Sequence, residues 1–315
     1  MSFAAKVREE LSRQTARTKH CRTAELAALL FFSGTLQIDE AGRMKLVFRT
    51  EQAAAQETFL QLLNRLFHIP PEQIIQEVKE RKNGMLCTIC LNEQDTVRKI
   101  LTAAGTLDAR GRLNEDKPLA ELKILEKECC RRAFLRGAFL AAGTVSDPNR
   151  SYHLEFLCNS EEQREQLRQL IDSMGIRAGT VRRGRKDLVY LKDGSRIADL
   201  LSLMEAHVSL LEFENARIMR EVRGNINRKV NCETANIRKT ADASAGQIED
   251  VELIKKTIGF SALPKILDET ARIRLQYPTA TLQELGDLHE PPVGKSGINH
   301  RMRKLHALAE QLRKD

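Results

Sequence analysis

Ala24-Glu-Leu-Ala-Ala-Leu-Leu-Phe-Phe-Ser-Gly34, followed by Thr35, has a counterpart in Ala133-Phe-Leu-Arg-Gly-Ala-Phe-Leu-Ala-Ala-Gly143, followed by Thr144, 109 residues further on. A repeat of this kind means two copies of one structural unit. The same offset sets Phe48-Arg49-Thr50-Glu51 on Leu157-Cys158-Asn159-Ser160, at the ends of strand-like runs over 44–49 and 153–158. Each run leads into an amphipathic helical pattern, with Phe59, Leu62, Leu63 and Leu66 in the first copy and Leu167, Leu170, Ile171 and Met174 in the second.

Two more strands follow in each copy, over 74–80 and 85–91, then 179–183 and 188–192. Asn83-Gly84 is a hairpin-turn signal for the first pair, and Gly184-Arg-Lys-Asp187 joins the second. Closing helices near 96–104 and 195–204 complete an α-β-β-α-β-β-α pattern in both. The expected fold class is α+β: tandem pseudo-symmetric repeats with antiparallel sheets, then an all-α helix-turn-helix domain. Ala133, Gly137 and Ala141 lie four residues apart and form a smooth stripe, matched by Ala24, Ala28 and Phe32. Close packing of the two opening helices is expected along Ala24, Ala28, Ala133, Gly137 and Ala141, with Gly34 and Gly143 turning each chain into a strand.

The remainder divides as an N-terminal helix over 1–20, the repeats over 21–110 and 128–222, a linker over 111–127, and a linker with the helix-turn-helix domain over 223–315. A helical pattern over 211–222 runs into Arg223-Gly-Asn-Ile-Asn-Arg-Lys-Val-Asn-Cys-Glu-Thr-Ala-Asn236, whose Asn and Gly content predicts a turn-rich connector. Short helices follow over 245–258 and, opened by Ser261, over 262–276. Thr281-Leu-Gln-Glu284 is a capping box for a helix over 282–289, and Lys295-Ser296 caps the last helix, 297–313.

Two helices joined by a tight turn describe a helix-turn-helix. In the last helix Ile298, Met302, Leu305, Ala309 and Leu312 share one stripe. Asn299, His300 and Arg303 are the candidate base readers on the other face, since Asn and Arg match adenine and guanine edges. Lys295, Ser296 and Lys304 are candidate phosphate contacts. Arg81, Lys82, Arg182, Arg183, Arg185 and Lys186, in the hairpin turns, are accessory DNA candidates; a solvated loop or a protein-binding surface reads these residues equally well.

Composition sets the bounds. The 315 residues carry a net charge of +8 and 42% hydrophobic content, which excludes wholesale disorder. Half of that charge, +4, lies in residues 222–315. The longest uncharged apolar run, 26–32, is far short of the roughly 18 residues of a membrane span. A soluble, cytoplasmic, nucleoid-associated protein is expected, with no membrane and no small-molecule substrate. Seven cysteines make an odd count that suits a reducing compartment. Cys87-Thr-Ile-Cys90 sits in an alternating apolar run and reads as strand, and Cys129-Cys130 are adjacent, so no metal and no cofactor are expected.

Leu26-Ala-Ala-Leu-Leu-Phe-Phe-Ser-Gly34 and Leu135-Arg-Gly-Ala-Phe-Leu-Ala-Ala-Gly143 resemble the paired motifs of LAGLIDADG homing endonucleases. In that family the motif helices join two αββαββα halves, and an acid before the final Gly binds the catalytic metal. Ser33 and Ala142 stand at those positions here. A hydroxyl and a methyl cannot hold a hard cation, so no catalytic residue is assigned. Asp39 and Asp147, beyond the motifs, leave open an endonuclease with a displaced metal site; a protein-interaction scaffold is the other alternative.

Cys129-Cys-Arg-Arg-Ala-Phe-Leu-Arg-Gly-Ala-Phe-Leu-Ala-Ala-Gly143, Asn227-Arg-Lys-Val-Asn-Cys-Glu-Thr-Ala-Asn236 and Lys295-Ser-Gly-Ile-Asn-His-Arg-Met-Arg-Lys-Leu305 together resemble the WhiA family, as do Met1-Ser-Phe3 and Thr281-Leu-Gln-Glu-Leu-Gly286. The resemblance covers nearly the whole chain. It implies a non-enzymatic, sequence-specific bacterial DNA-binding protein acting in transcription, sporulation or cell division and chromosome segregation. The implied partners are double-stranded DNA and other transcription or cell-division proteins.

Overall fold

The computed structural model describes residues 1–14, 16–81, 84–108, 119 and 123–314. Lys82 and Asn83 of the first hairpin, and most of the expected linker over 111–127, lie outside the described residues. The chain forms two compact units, Met1–Arg220 and Glu221–Asp315.

In the first unit α1 (Phe3–Arg13) precedes two copies of one topology. The first copy runs α2 (Lys19–Ser33), β1 (Gly34–Ile38), β2 (Met44–Thr50), α3 (Ala53–Phe67), β3 (Ile75–Arg81), β4 (Gly84–Leu91) and α4 (Gln94–Ala103). The second runs α5 (Glu128–Ala142), β5 (Gly143–Val145), β6 (Leu154–Cys158), α6 (Glu161–Ser173), β7 (Gly179–Arg183), β8 (Lys186–Leu191) and α7 (Gly194–Leu203). Both sheets are antiparallel, in the orders β1-β2-β4-β3 and β5-β6-β8-β7. This is the αββαββα pair that the repeat predicts.

The fixed offset of 109 fails after the first strand. Gly34 pairs with Phe48, whereas Gly143 pairs with Phe156. The second hairpin is therefore one residue shorter, and Phe156, not Leu157, is the counterpart of Phe48. Side chains alternate faces along a strand, so the slip decides which one is buried. Phe48 and Phe156 are fully buried, while Leu157 is exposed. Phe48 stacks on Phe59 at 4.0 Å, and Phe156 meets Phe139 edge-on at 6.1 Å.

The motif helices α2 and α5 pack directly on one another. A Cβ at Gly137 would lie 2.5 Å from the Glu25 carbonyl oxygen and 2.9 Å from the Ala28 methyl, so this approach admits only glycine. Ala24, Ala28 and Ala133 are buried in the same core, with Ala141 half-buried. Gly34 and Gly143 follow their helices with extended backbone, φ −88° and −83°, not the left-handed conformation. Glycine is required there for space: a Cβ would stand 2.5 Å from the Leu30 carbonyl oxygen at Gly34, and 2.4 Å from the Phe139 ring at Gly143.

The edge strand β3 is exposed along its whole length and carries Glu77, Lys79, Glu80 and Arg81. Charges of both signs protect such an edge from pairing with another strand.

α8 (His207–Thr257) begins in the first unit and continues into the second, where α9 (Lys265–Gln276), α10 (Leu282–Asp287) and α11 (Lys295–Leu312) follow. The expected turn-rich connector over 223–236 is uninterrupted helix instead. Its lone glycine and four asparagines each cost less than about 1 kcal/mol in a helix, and no proline stands within α8 to break it. Two caps also differ from expectation. α9 starts after Pro264 and not at Ser261, which sits in a short 3₁₀ turn, Phe260–Ala262. α11 opens after Gly294, so Lys295 and Ser296 are its first two residues and not its cap. The second core joins Val251, Ile254 and Phe260 to Leu285, Ile298, Met302, Leu305 and Ala309. Among the described residues no helix is long and apolar enough to cross a membrane.

Candidate nucleic-acid interface

The helix pair α10–α11 is set by local chemistry in Thr281 to Ile298. Thr281 Oγ1 accepts from the Glu284 amide at 3.3 Å, and Glu284 accepts from the Thr281 amide at 2.7 Å, closing the capping box. The Thr281 amide, with its hydroxyl, holds the Glu284 carboxyl below the usual carboxylate range. Gly286 then receives the returning chain. The Val293 amide donates to the Gly286 carbonyl at 2.9 Å, and a Cβ on Gly286 would fall 1.9 Å from the Val293 carbonyl oxygen. The turn cannot close over any other residue.

α11 buries Ile298, Met302, Leu305 and Ala309, and Leu312 packs at the margin. Two of its polar residues, with Arg313 just past its end, serve the fold. Arg301 donates to Thr270 Oγ1 at 3.2 Å, while His306 and Arg313 reach the buried carboxylate of Asp250 on α8, at 2.7 and 2.8 Å. Sequence reasoning did not single these out, because their partners are remote in the chain. Arg274 of α9 is almost fully buried and ties the α9–α10 connection, donating to Ser244 Oγ at 3.0 Å and the Ala280 carbonyl at 2.8 Å. Burial lowers its pKa from the usual guanidinium value.

The remaining face of α11 is different. His300, Arg303 and Lys304 are exposed there, Lys295 and Ser296 are exposed in the first turn, and Asn299 is half-buried. Among the described residues no carboxylate lies within 4.0 Å of Lys295, Arg303 or Lys304. A helix face with uncommitted cations and amides beside it is able to donate to phosphates and base edges at once.

In the first unit the β7–β8 hairpin turns at Gly184, φ +61°, and exposes Arg182, Arg183, Arg185 and Lys186. Arg183 lies 3.8 Å from Glu155; the other three have no ion pair within 4.0 Å among the described residues. Its counterpart in the first repeat offers Arg81, 3.4 Å from Glu51, beside the acidic residues of β3. The two hairpins are therefore unequal in charge.

Among the described residues the motif ends hold no paired acids. The last carbonyls of α2 are taken by the second repeat: Asn159 donates to Phe32 at 3.0 Å and Gln163 to Phe31 at 2.6 Å. Arg8 donates to the Gly143 carbonyl at 2.8 Å. Asp39 accepts from the Arg43 amide at 2.9 Å and from Arg43 Nε at 2.7 Å, and Asp147 accepts from the Asn149 amide at 2.9 Å. These bonds keep both carboxyls below their ordinary pKa and occupy each with its own turn.

Three family models cover most of the chain: the WhiA N-terminal LAGLIDADG-like domain over 19–107, the WhiA LAGLIDADG-like domain over 131–223, and the WhiA C-terminal HTH domain over 226–309. A relative from Lachnoclostridium phytofermentans, named probable cell division protein WhiA, is 43% identical over 99% of this chain and 100% of its own length. The chain belongs to the WhiA family. A protein of the same name from Clostridium acetobutylicum is 42% identical, covering 100% of this chain and 99% of its own. The crystal structure of full-length WhiA from Thermatoga maritima matches with a TM-score of 0.60 at 26% identity, covering 99% of both chains. The two LAGLIDADG-like domain matches fall on the two repeats, and the HTH match on the second unit.

Proposed function

We propose that this chain is a non-enzymatic, sequence-specific double-stranded DNA-binding protein, a transcription regulator acting in cell division, chromosome segregation or sporulation. It would work on the cytoplasmic nucleoid alongside other transcription or cell-division proteins. The observation that carries the reading is the free face of α11, where Lys295, His300, Arg303 and Lys304 are exposed while the opposite face is buried in the second core. Asn299, His300 and Arg303 read bases; Lys295, Ser296 and Lys304 hold phosphates. The name of the relatives supports the cell-division setting. The basic β7–β8 hairpin adds a phosphate contact, more effectively than the hairpin that carries Arg81.

Genome-wide crosslinking identifies the sites, and binding to one of them tests the residues. Arg303→Ala should weaken the specific site by about 1–3 kcal/mol and relax base preference. Lys304→Ala should weaken all sequences alike and lower the salt slope by about one. Unchanged binding in both variants removes α11 as the recognition helix. Cleavage of plasmid with Mg²⁺ that is lost on Asp39→Asn or Asp147→Asn makes the protein a nuclease instead.

A further inference from the structure

The pseudo-symmetry that joins the repeats also brings together four metal-ligating side chains at the other end of the motif helices. His20 and Cys21 lie in the first turn of α2, and Cys129 and Cys130 in the first turn of α5. These are equivalent positions in the two motifs, 109 residues apart, so the close approach of α2 and α5 sets one dipeptide against the other. His20 Nδ1 is 3.1 Å from Cys130 Sγ and 3.3 Å from Cys21 Sγ, and all four ligand atoms lie within 4.8 Å of one another. No other grouping of three or more such ligands occurs among the described residues.

The geometry points to a structural Zn²⁺ site of one histidine and three cysteine ligands, clipping the N-terminal ends of the two motif helices together. Zinc bonds of about 2.3 Å to sulfur and about 2.0–2.1 Å to nitrogen put tetrahedral neighbours roughly 3.5–3.8 Å apart. The separations here bracket that range, so small side-chain rotations suffice to close the tetrahedron. Soft thiolates with one imidazole select zinc over magnesium or calcium. Four protein ligands leave no open position, which makes the site structural and not catalytic.

Its surroundings suit the charge. On binding, three thiols release their protons to solvent, leaving three thiolates around a dication with a net charge of −1. Each cysteine sits at a helix N-terminus, whose amide dipoles favour a thiolate, although burial raises the Cys21 and Cys130 thiols in the metal-free protein, so the dication itself must draw off their protons. Arg17 and Arg132 line the same recess. His20 and Cys129 are exposed, Cys21 is half-buried and Cys130 buried, so the ion has a path in from solvent. The site is distinct from the motif positions of Ser33 and Ala142, which close the same two helices about 18 Å away, at 1.5 Å per residue. Neither half of the ligand set shows metal spacing alone, which is why the sequence predicts no metal.

The test uses the full-length protein, expressed with added zinc and purified reduced without chelator. Elemental analysis should find one zinc per chain. A mercurial thiol reagent should release it to a chromophoric zinc indicator. Cobalt exchanged into the site should give the thiolate-to-metal charge-transfer band and the visible bands of tetrahedral cobalt. Cys21→Ser with Cys130→Ser should abolish both signals, and chelation should lower the wild-type Tm. Because the double variant could misfold, the wild-type measurements decide the matter on their own. A folded, reduced wild-type chain that holds no zinc and takes up no cobalt overturns the site. So does zinc retained in a folded Cys129→Ala, Cys130→Ala variant, or a disulfide among these cysteines in protein kept reduced.

Discussion

In the repeat unit, α5 turns Arg136 inward, where Glu25 accepts from Nε at 2.9 Å and Glu205 from the guanidinium at 3.1 Å. In the C-terminal unit, α11 turns Arg303 outward, and no carboxylate lies within 4.0 Å of it among the described residues. The first unit repeats its habit: Arg164 pairs with Asp187 at 2.5 Å, and Arg168 with Glu165 and Asp172. One residue type thus has two duties, and the pairing state tells them apart. A guanidinium matched inside the fold supports architecture, whereas one left unmatched on a helix face is available to an anionic partner.

The largest expected effect would break the architectural side of this contrast. Burial pushes the Glu25 carboxyl above its usual range, and the Arg136 charge beside it pulls it back. Glu25→Gln removes the buried countercharge of Arg136 and leaves it only the exposed Glu205, which should cost about 3–5 kcal/mol in chemical denaturation. Glu25→Leu with Arg136→Met, which removes both charges, should recover most of that loss. A single variant within about 0.5 kcal/mol of wild type would mean that Glu205 alone satisfies Arg136.

The second effect falls on the C-terminal unit. Gly286→Ala puts a methyl where the Val293 carbonyl oxygen already stands, 1.9 Å away. The α10–α11 turn must open, at roughly 1–3 kcal/mol by the usual cost of overpacking. Specific DNA binding should fall well beyond what Arg303→Ala causes, with the first unit's unfolding transition unchanged. Binding retained at wild-type strength would show that the presentation of α11 does not depend on this turn.

A smaller effect compares the two hairpins. Replacing Arg182, Arg185 and Lys186 by Ala should flatten the salt slope of DNA binding by about 0.9 for each phosphate that these side chains neutralise, whereas Arg81→Ala should leave the slope unchanged. Equal effects from both hairpins would erase the asymmetry; no effect from either would confine DNA binding to the second unit.

How much was legible in the sequence follows from how local each signal was. The αββαββα pair is carried by helical and alternating periodicities that recur in order, and the capping box by four adjacent residues. The one-residue slip at Phe156 was not legible, because register is fixed by cross-strand pairing with Gly143 and not by motif alignment. The continuous α8 was missed because Asn and Gly suggest turns locally, yet they are tolerated where nothing terminates the helix. Arg301, His306 and Arg313 carry no sequence signal of their structural duty, because Thr270 and Asp250, which they meet, lie on other helices. His20-Cys21 and Cys129-Cys130 occupy the same repeat positions, but spacing rules test pairs along one segment, and here the fold supplies the second pair.

The smallest effect sharpens the account of how α11 is presented. Glu284 is fully exposed, and its carboxyl is held below the ordinary value by the Thr281 amide and hydroxyl. A depressed folded-state pKa means the capping contribution is complete above the unfolded value of about 4.3 and fades as pH falls through the folded one. The Thr281 amide resonance should therefore titrate with a midpoint below that of an unperturbed glutamate, and Glu284→Gln should abolish the titration. The cap would then hold throughout the neutral range.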